Sequence, residues 1–181
     1  MNQQELKEQA AMWGMEMNVA LPFAESLRAH IRFVQEAGRR IGVPERQLMI
    51  HDDSKWSSWE FPHYARNFFG DKKDPEGFAV AWLHHQNFNP HHWEYWITRS
   101  DHSRGGSRAE DGCLPMPRSY ALEMVADWMG ASMAYTGSWD MRDWLAKNLP
   151  RIRIHSAAAL YLHEILTAHG YKDVWDHATT S

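Results

Sequence analysis

Residues 22–55 read PFAESLRAHIRFVQEAGRRIGVPERQLMIHDDSK. Apolar residues recur there at spacings of three and four, the period of an α-helix with one buried face. Leu27, His30, Ile31 and Val34 share that face. Pro22 suits a first helical turn, and Gly42 suits the left-handed residue that closes a helix. Pro44 then opens a short second helix through Leu48 towards His51. A histidine on an apolar stripe, followed by an adjacent His-Asp pair at a helix end, sets the question for the rest of the chain.

The same period recurs outward from this stretch. Helices are expected at residues 3–17, 58–69 (regular from Pro62), 75–88, 117–135, 138–148 and 153–168, with a short helical segment at 90–97 and a C-cap at Gly170. No alternating apolar-polar run reads as a strand. The expectation is an all-α, single-domain helical bundle over residues 1–181. One stretch, TRSDHSRGGSRAEDGCLPM at 98–116, is polar and glycine-containing and reads as a long mobile loop, placed to act as a lid.

Composition narrows the function classes. A chain of 181 residues with 44% hydrophobic content can bury a core without a disulfide or a structural metal. With 19 Lys and Arg against 23 Asp and Glu, the net charge is −4, which disfavours non-specific binding to duplex nucleic acid. A single cysteine, Cys113, excludes an internal disulfide framework and a cysteine zinc finger. No apolar run approaches the roughly 18–20 residues that span a bilayer. The opening MNQQELKEQ is polar and does not read as a secretory signal, so a cytoplasmic location is expected. Exposed aromatics and methionines make self-association an expectation.

Twelve histidines and ten tryptophans stand out. His30, the pair His51-Asp52, the pairs His84-His85 and His91-His92, and Asp127 follow one another in that order. Imidazole and carboxylate are the usual ligands of zinc, iron and manganese. His30 lies on the face of Leu27, Ile31 and Val34, and Asp127 on the face of Met124 and Trp128. Pointing inward from apolar faces, they would carry a desolvation cost unless paired or bound to an ion. Of the first pair of neighbours, His85 shares the Phe78/Trp82 face, and His84 is turned about 100° from it. Glu60, Asp53 and Asp74 read as solvated carboxylates. His63, His102, His169 and His177 read as loop or surface residues, and His155 and His163 as packing residues.

The ordered set H…HD…D at His30, His51-Asp52 and Asp127 resembles the HD superfamily of metal-dependent phosphohydrolases. The string His51-Asp52-Asp53-Ser54-Lys55 resembles its HDxxK turn. Asn89-Pro90-His91-His92-Trp93 resembles an uncharacterised, often phage-encoded branch of HD-like proteins. The resemblance covers residues 25–135 and implies a helical bundle with the metal in its centre. Relatives with histidines inserted between the HD pair and the last Asp hold a second metal, with the HD aspartate bridging. The resemblance therefore implies two divalent ions per chain (Mn, Fe, Zn or Co), held by His30, His51, Asp52, His85, His91, His92 and Asp127. The GYP segment of HD-GYP phosphodiesterases is missing, which argues against a cyclic-dinucleotide substrate.

The implied activity is hydrolysis of a nucleotide or other small phosphate ester by metal-activated water. Asp52 would bridge the ions, Asp127 would bind the first and also accept a proton, and Lys55 would meet phosphate as a point charge. Arg28 and Arg32, flanking His30, are further phosphate candidates. Two other functions are compatible with this ligand set. One is an HD-type diiron oxygenase; the other is a non-enzymatic nucleotide-binding module with structural metals. Trp56, Trp82, Trp93 and Trp128 sit beside proposed ligands. They read first as core packing and second as walls on which a base could stack.

Overall fold

The computed structural model describes residues 1–98 and 112–180. They form nine α-helices: α1 Gln3–Met12, α2 Met17–Ile41, α3 Glu45–Ile50, α4 Phe61–Phe69, α5 Pro75–Phe88, α6 Arg118–Thr136, α7 Arg142–Asn148, α8 Ser156–Ala168 and α9 Lys172–Thr180. Single 3₁₀ turns lie at Asp53–Trp56, Trp93–Trp96 and Leu149–Arg151. Among the described residues there is no strand, only an isolated antiparallel bridge between Ile97 and Cys113. The fold is all-α.

Local chemistry accounts for most boundaries. Asn2 caps α1, and Glu5 returns the hydrogen bond to the Asn2 backbone as a capping box. Asp74 caps α5 by accepting from the Gly77 N–H at 3.0 Å, so it is not merely a solvated carboxylate. Gly42 and Gly137 end α2 and α6 in the left-handed conformation, at φ 87° and 73°.

Two boundaries differ from expectation. The first helix stops at Met12 because Gly14 turns the chain at φ 57°. The second begins at Met17, five residues before Pro22. Pro22 inside α2 gives up one backbone hydrogen bond, which burial of Ala20, Phe23 and Ala24 around it offsets. Helix α9 was not foreseen, because its sequence is mostly polar and buries little beyond Val174.

The apolar side chains form two cores. One gathers Leu6, Ala10, Phe23, Leu27, Phe61 and Ala81 from α1, α2, α4 and α5. The other gathers Val34, Leu48, Val125, Leu145 and Leu162 from α2, α3, α6, α7 and α8. Helix α2 serves both, and His30 falls on it between Leu27 of one core and Val34 of the other. Helix α6 packs on α2 at close range. A Cβ at Gly130 would stand 2.6 Å from the Val34 backbone nitrogen and 2.9 Å from its Cα.

The segment 98–116 is described only at its ends. Thr98 N–H donates to Gly112 C=O at 2.7 Å, Leu114 N–H donates to Trp96 C=O at 2.8 Å, and Cys113 and Met116 are buried. The mobile-loop and lid expectations, and His102, fall on residues 99–111, which lie outside the described residues.

Because backbone atoms cannot yield as a side chain can, Gly130→Ala is expected to push α2 and α6 apart. A loss of about 1–3 kcal/mol is expected, measurable by denaturant unfolding, with a parallel loss of affinity for divalent metal because α2 and α6 carry His30 and Asp127.

Candidate metal centre

The seam between the two cores is filled by charge. Helix α3 ends at His51, and the next residue, Asp52, has φ 60° and ψ 16°. It is the single non-glycine residue with positive φ among those described. Aspartate tolerates this region better than most side chains. The sharp turn aims the two neighbouring side chains inward together, and both are buried. The following 3₁₀ turn returns Lys55 towards Asp52, where its ammonium donates to Oδ2 at 2.6 Å.

The two oxygens of Asp52 face different partners. Oδ2 lies 3.1 Å from His30 Nε2 and 3.7 Å from His51 Nε2. Asp127 of α6 closes this group: its Oδ1 is 3.1 Å from His30 Nε2 and 3.5 Å from His51 Nε2. On the other side, Asp52 Oδ1 lies 3.3 Å from His85 Nε2 and 3.7 Å from His91 Nε2. His92 completes a second group, its ring 4.7 Å from His85 and 4.4 Å from His91 between centroids.

These contacts are close without being hydrogen bonds. Nε2 of His30, His51, His85, His91 and His92, and Oδ1 of Asp52, are all buried with no hydrogen-bond partner. Six such atoms facing one another in the interior would be costly if left so. Ligands 2.0–2.2 Å from a common ion stand about 3.0–3.6 Å from one another, close to the 3.1–3.7 Å found. The residues fall into sets able to hold a metal ion: His30, His51, Asp52 and Asp127; and His85, His91 and His92.

Three of these rings, His51, His85 and His91, are turned inward by carboxylates on their opposite edges. Glu123 Oε1 accepts from His51 Nδ1 at 2.9 Å and lies 3.3 Å from His91 Nδ1. Gln47 holds the other oxygen of Glu123 at 2.8 Å. Glu60 does the same for the second group, accepting from His85 Nδ1 at 2.8 Å and from His84 Nδ1 at 2.7 Å. An ionised carboxylate only accepts, so Nδ1 carries the proton and the Nε2 lone pair is left for an ion. Glu123 also stands with His51 and His91 in a third potential ligand set. Its hydrogen bonds to their Nδ1 edges make it a holder of rings.

Electrostatics fit a site built around positive charge. Burial would raise the carboxyls of Asp52 and Asp127, but Lys55 and the imidazoles hold Asp52, and His30 and His51 hold Asp127, well below the usual carboxylate range. Burial likewise opposes ionisation of Glu123, yet its bonds to His51 and His91 bring it down to about 2. Burial works against the His51 cation, but Asp52, Asp127 and Glu123 push its pKa up to about 10; His30 is raised for the same reason. Burial, with His91 and His85 alongside, drives His92 well below the ordinary imidazole value, and His91 is lowered too. A divalent ion would neutralise the same carboxylates and displace the protons of His30 and His51 on binding.

Every residue expected to bind metal therefore lies in this one cluster: His30, His51, Asp52, His85, His91, His92 and Asp127. Lys55 lies beside Asp52. His84 does not join them. It bonds to Glu60 and stacks on Trp59 and Phe88. Arg28 and Arg32 do not reach the site. Arg28 donates to the Met1 carbonyl and lies over Trp56, and Arg32 lies over Phe33. Glu60 corrects the expectation of a solvated carboxylate, since it is fully buried. Glu60 and Glu123 were missed as site residues because a lone glutamate carries no mark of its tertiary partner. Glu123 does sit one helical turn before Asp127, on the inward face of α6, and that signal could have found it.

Two cavities open beside the cluster. One of about 470 Å³ includes His92, Asp127, Trp93, Trp128, Trp144 and Arg151 in its walls. The other, about 310 Å³, includes His30 and Lys55 with Phe23, Tyr64, Phe68 and Phe78. Trp82 and Tyr135 line both. Of the tryptophans beside ligands, Trp82, Trp93 and Trp128 are thus cavity walls, whereas Trp56 packs on Phe61.

A family model matches residues 20–168, described as a family of unknown function (DUF5662). The chain belongs to the DUF5662 family. The match contains the whole cluster, both carboxylate holders and Lys55. No curated protein and no solved structure matches the chain.

If Glu123 sets the tautomer and basicity of two ligands, Glu123→Gln lowers affinity for divalent metal about 10–100-fold, read by competition with a chelating dye. The folded state should persist, because the amide keeps the shape and one acceptor.

Proposed function

We propose that this chain is a metal-dependent phosphohydrolase of HD type that acts on small phosphate esters, nucleotides among them. The observation that carries the reading is Asp52. Its two oxygens face two separate imidazole groups, and Lys55 stands at its edge. That is the arrangement a bridging carboxylate needs between two ions, with a fixed cation beside it. His30, His51, Asp52 and Asp127 would hold one ion, and His85, His91, His92 and Asp52 the other.

Ions so held lower the pKa of water to about 7 and draw charge off a phosphoryl oxygen. The chain's own residues do the remaining work. Lys55 offers its ammonium to a phosphoryl oxygen while keeping Asp52 ionised. Glu60 and Glu123 keep the Nε2 lone pairs aimed inward. Asp127, at the edge of the larger cavity, is placed to accept a proton as well as to ligate. Trp82 and Tyr135 bound the approach from both cavities and limit water around the reacting group.

A second reading, the diiron oxygenase, has its own support in the three-histidine group His85, His91 and His92, because nitrogen-rich ligation suits iron. The metal separates the two. Protein purified without a histidine tag is expected to contain about two divalent ions per chain by elemental analysis. It should release phosphate or an alcohol from a panel of phosphate mono- and diesters in Mn, Co or Zn. Iron alone, with oxygen uptake and no ester hydrolysis, would favour the oxygenase.

Two substitutions refine the test. Asp52→Asn should remove at least one ion and reduce turnover by about 10³-fold or more. Lys55→Met should retain both ions and lower kcat/KM about 10–100-fold, with most of the change in KM.

A further inference from the structure

The two cavities meet at the cluster and differ in character. On the Lys55 side the wall is almost wholly aromatic and aliphatic: Phe23, Leu27, Tyr64, Phe68, Phe69 and Phe78. Its polar groups are few, and one of them, the Tyr64 hydroxyl, is buried with no hydrogen-bond partner. On the other side Trp128 and Trp144 stand 5.0 Å apart at 44°, with Arg151 in the same wall. His30 marks the first cavity's contact with the cluster, and His92 and Asp127 mark the second's.

We infer that the substrate has two organic arms: it is a linear phosphodiester, with an apolar or aryl group in the phenylalanine-lined cavity and a flat ring among the tryptophans. This rests on the reading of the cluster as the reacting centre. A phosphomonoester has one organic group and would leave one cavity filled with water against apolar walls. Both volumes, about 310 and 470 Å³, are of ligand-pocket size.

Charge points the same way. Lys55 and Arg151 are the lysine and arginine side chains among the described residues of the two walls, one in each cavity, while Glu94 and Asp127 add carboxylates. A diester carries one negative charge. The further phosphates of a nucleoside triphosphate would lie beyond the cluster, where the walls offer Arg151 and the carboxylate of Glu94. In the reaction a water oxygen bonds to phosphorus and the P–O bond to one arm breaks. One water proton goes to the departing alkoxide, giving an alcohol in one cavity and a monoester in the other.

The test uses the full metal-replete chain and three probes that cannot be hydrolysed: diphenylphosphinate with two aryl arms, phenylphosphonate with one, and methylphosphonate with none. Calorimetry should give diphenylphosphinate an affinity about tenfold or more above phenylphosphonate. Phe69→Ala and Trp144→Ala each remove one partly exposed wall residue, 40% and 43% exposed, so the fold is kept. Each should cut the advantage of the second arm to about threefold or less, with little change for phenylphosphonate. Equal affinities for the one- and two-armed probes, or an advantage that survives both substitutions, would overturn the inference. Two-armed binding without hydrolysis of any ester would uphold the two-armed site while removing the phosphohydrolase reading, and with it the diester as substrate. Hydrolysis of monoesters with equal probe affinities would do the reverse.

Discussion

A carboxylate buried beyond the reach of water is the constraint around which this molecule is arranged. Asp52 has no exposed surface and remains far below the usual carboxylate range. An isolated charge at that depth would cost many kcal/mol. It is sustained because Lys55, His30, His51, His85 and His91 all lie within 3.7 Å of its two oxygens. The rings of His51, His91 and His85 are in turn fixed from behind by Glu123 and Glu60. The result is a layered electrostatic structure: carboxylate, imidazole, carboxylate. Each layer stabilises the next, and a cation at the centre satisfies the lone pairs that face inward.

The helices serve this arrangement through their spacing. α2 crosses both apolar cores and brings His30 to the seam between them. α6 approaches it closely enough at Gly130 that only a hydrogen fits, which sets Asp127 against His30. α5 supplies His85, and the turn after it supplies His91 and His92. No ligand comes from α1, α7, α8 or α9. Those helices bury apolar area: α1 against one core, and α7, α8 and α9 against the other. α7 also lines a cavity with Trp144. Stability and site are therefore separable in the sequence. The packing helices bury apolar faces, and the candidate metal-binding side chains lie between residues 30 and 127.

How legible this was depended on whether a residue's role had a local cause. His30 could be read because an imidazole interrupts an apolar stripe, and His51-Asp52 because the pair sits where a helix must stop. His85 could be separated from His84 because 100° of helical rotation divides the core face from its neighbour. Glu60 and Glu123 were illegible as partners. Each lies more than 20 residues from the histidines it holds, and a glutamate on a helix has the same sequence signature exposed or buried. Arg28 and Arg32 show the opposite error. Standing two residues before and after His30, they are each turned about 160° from it on the helix, facing Trp56 and Phe33.

The sequence by itself determined the helical class, most helix boundaries and which side chains are candidate metal ligands, because periodicity, capping and donor chemistry act over a few residues. Tertiary structure alone decided which rings would meet, which carboxylates would orient them, and that Asp52 would present one oxygen to each group. It also decided that the tryptophans and phenylalanines would part into two walls. Those properties depend on helices distant in the chain arriving within a few ångströms. The hydrophobic burial that brings them together is non-directional and leaves no mark in any one segment.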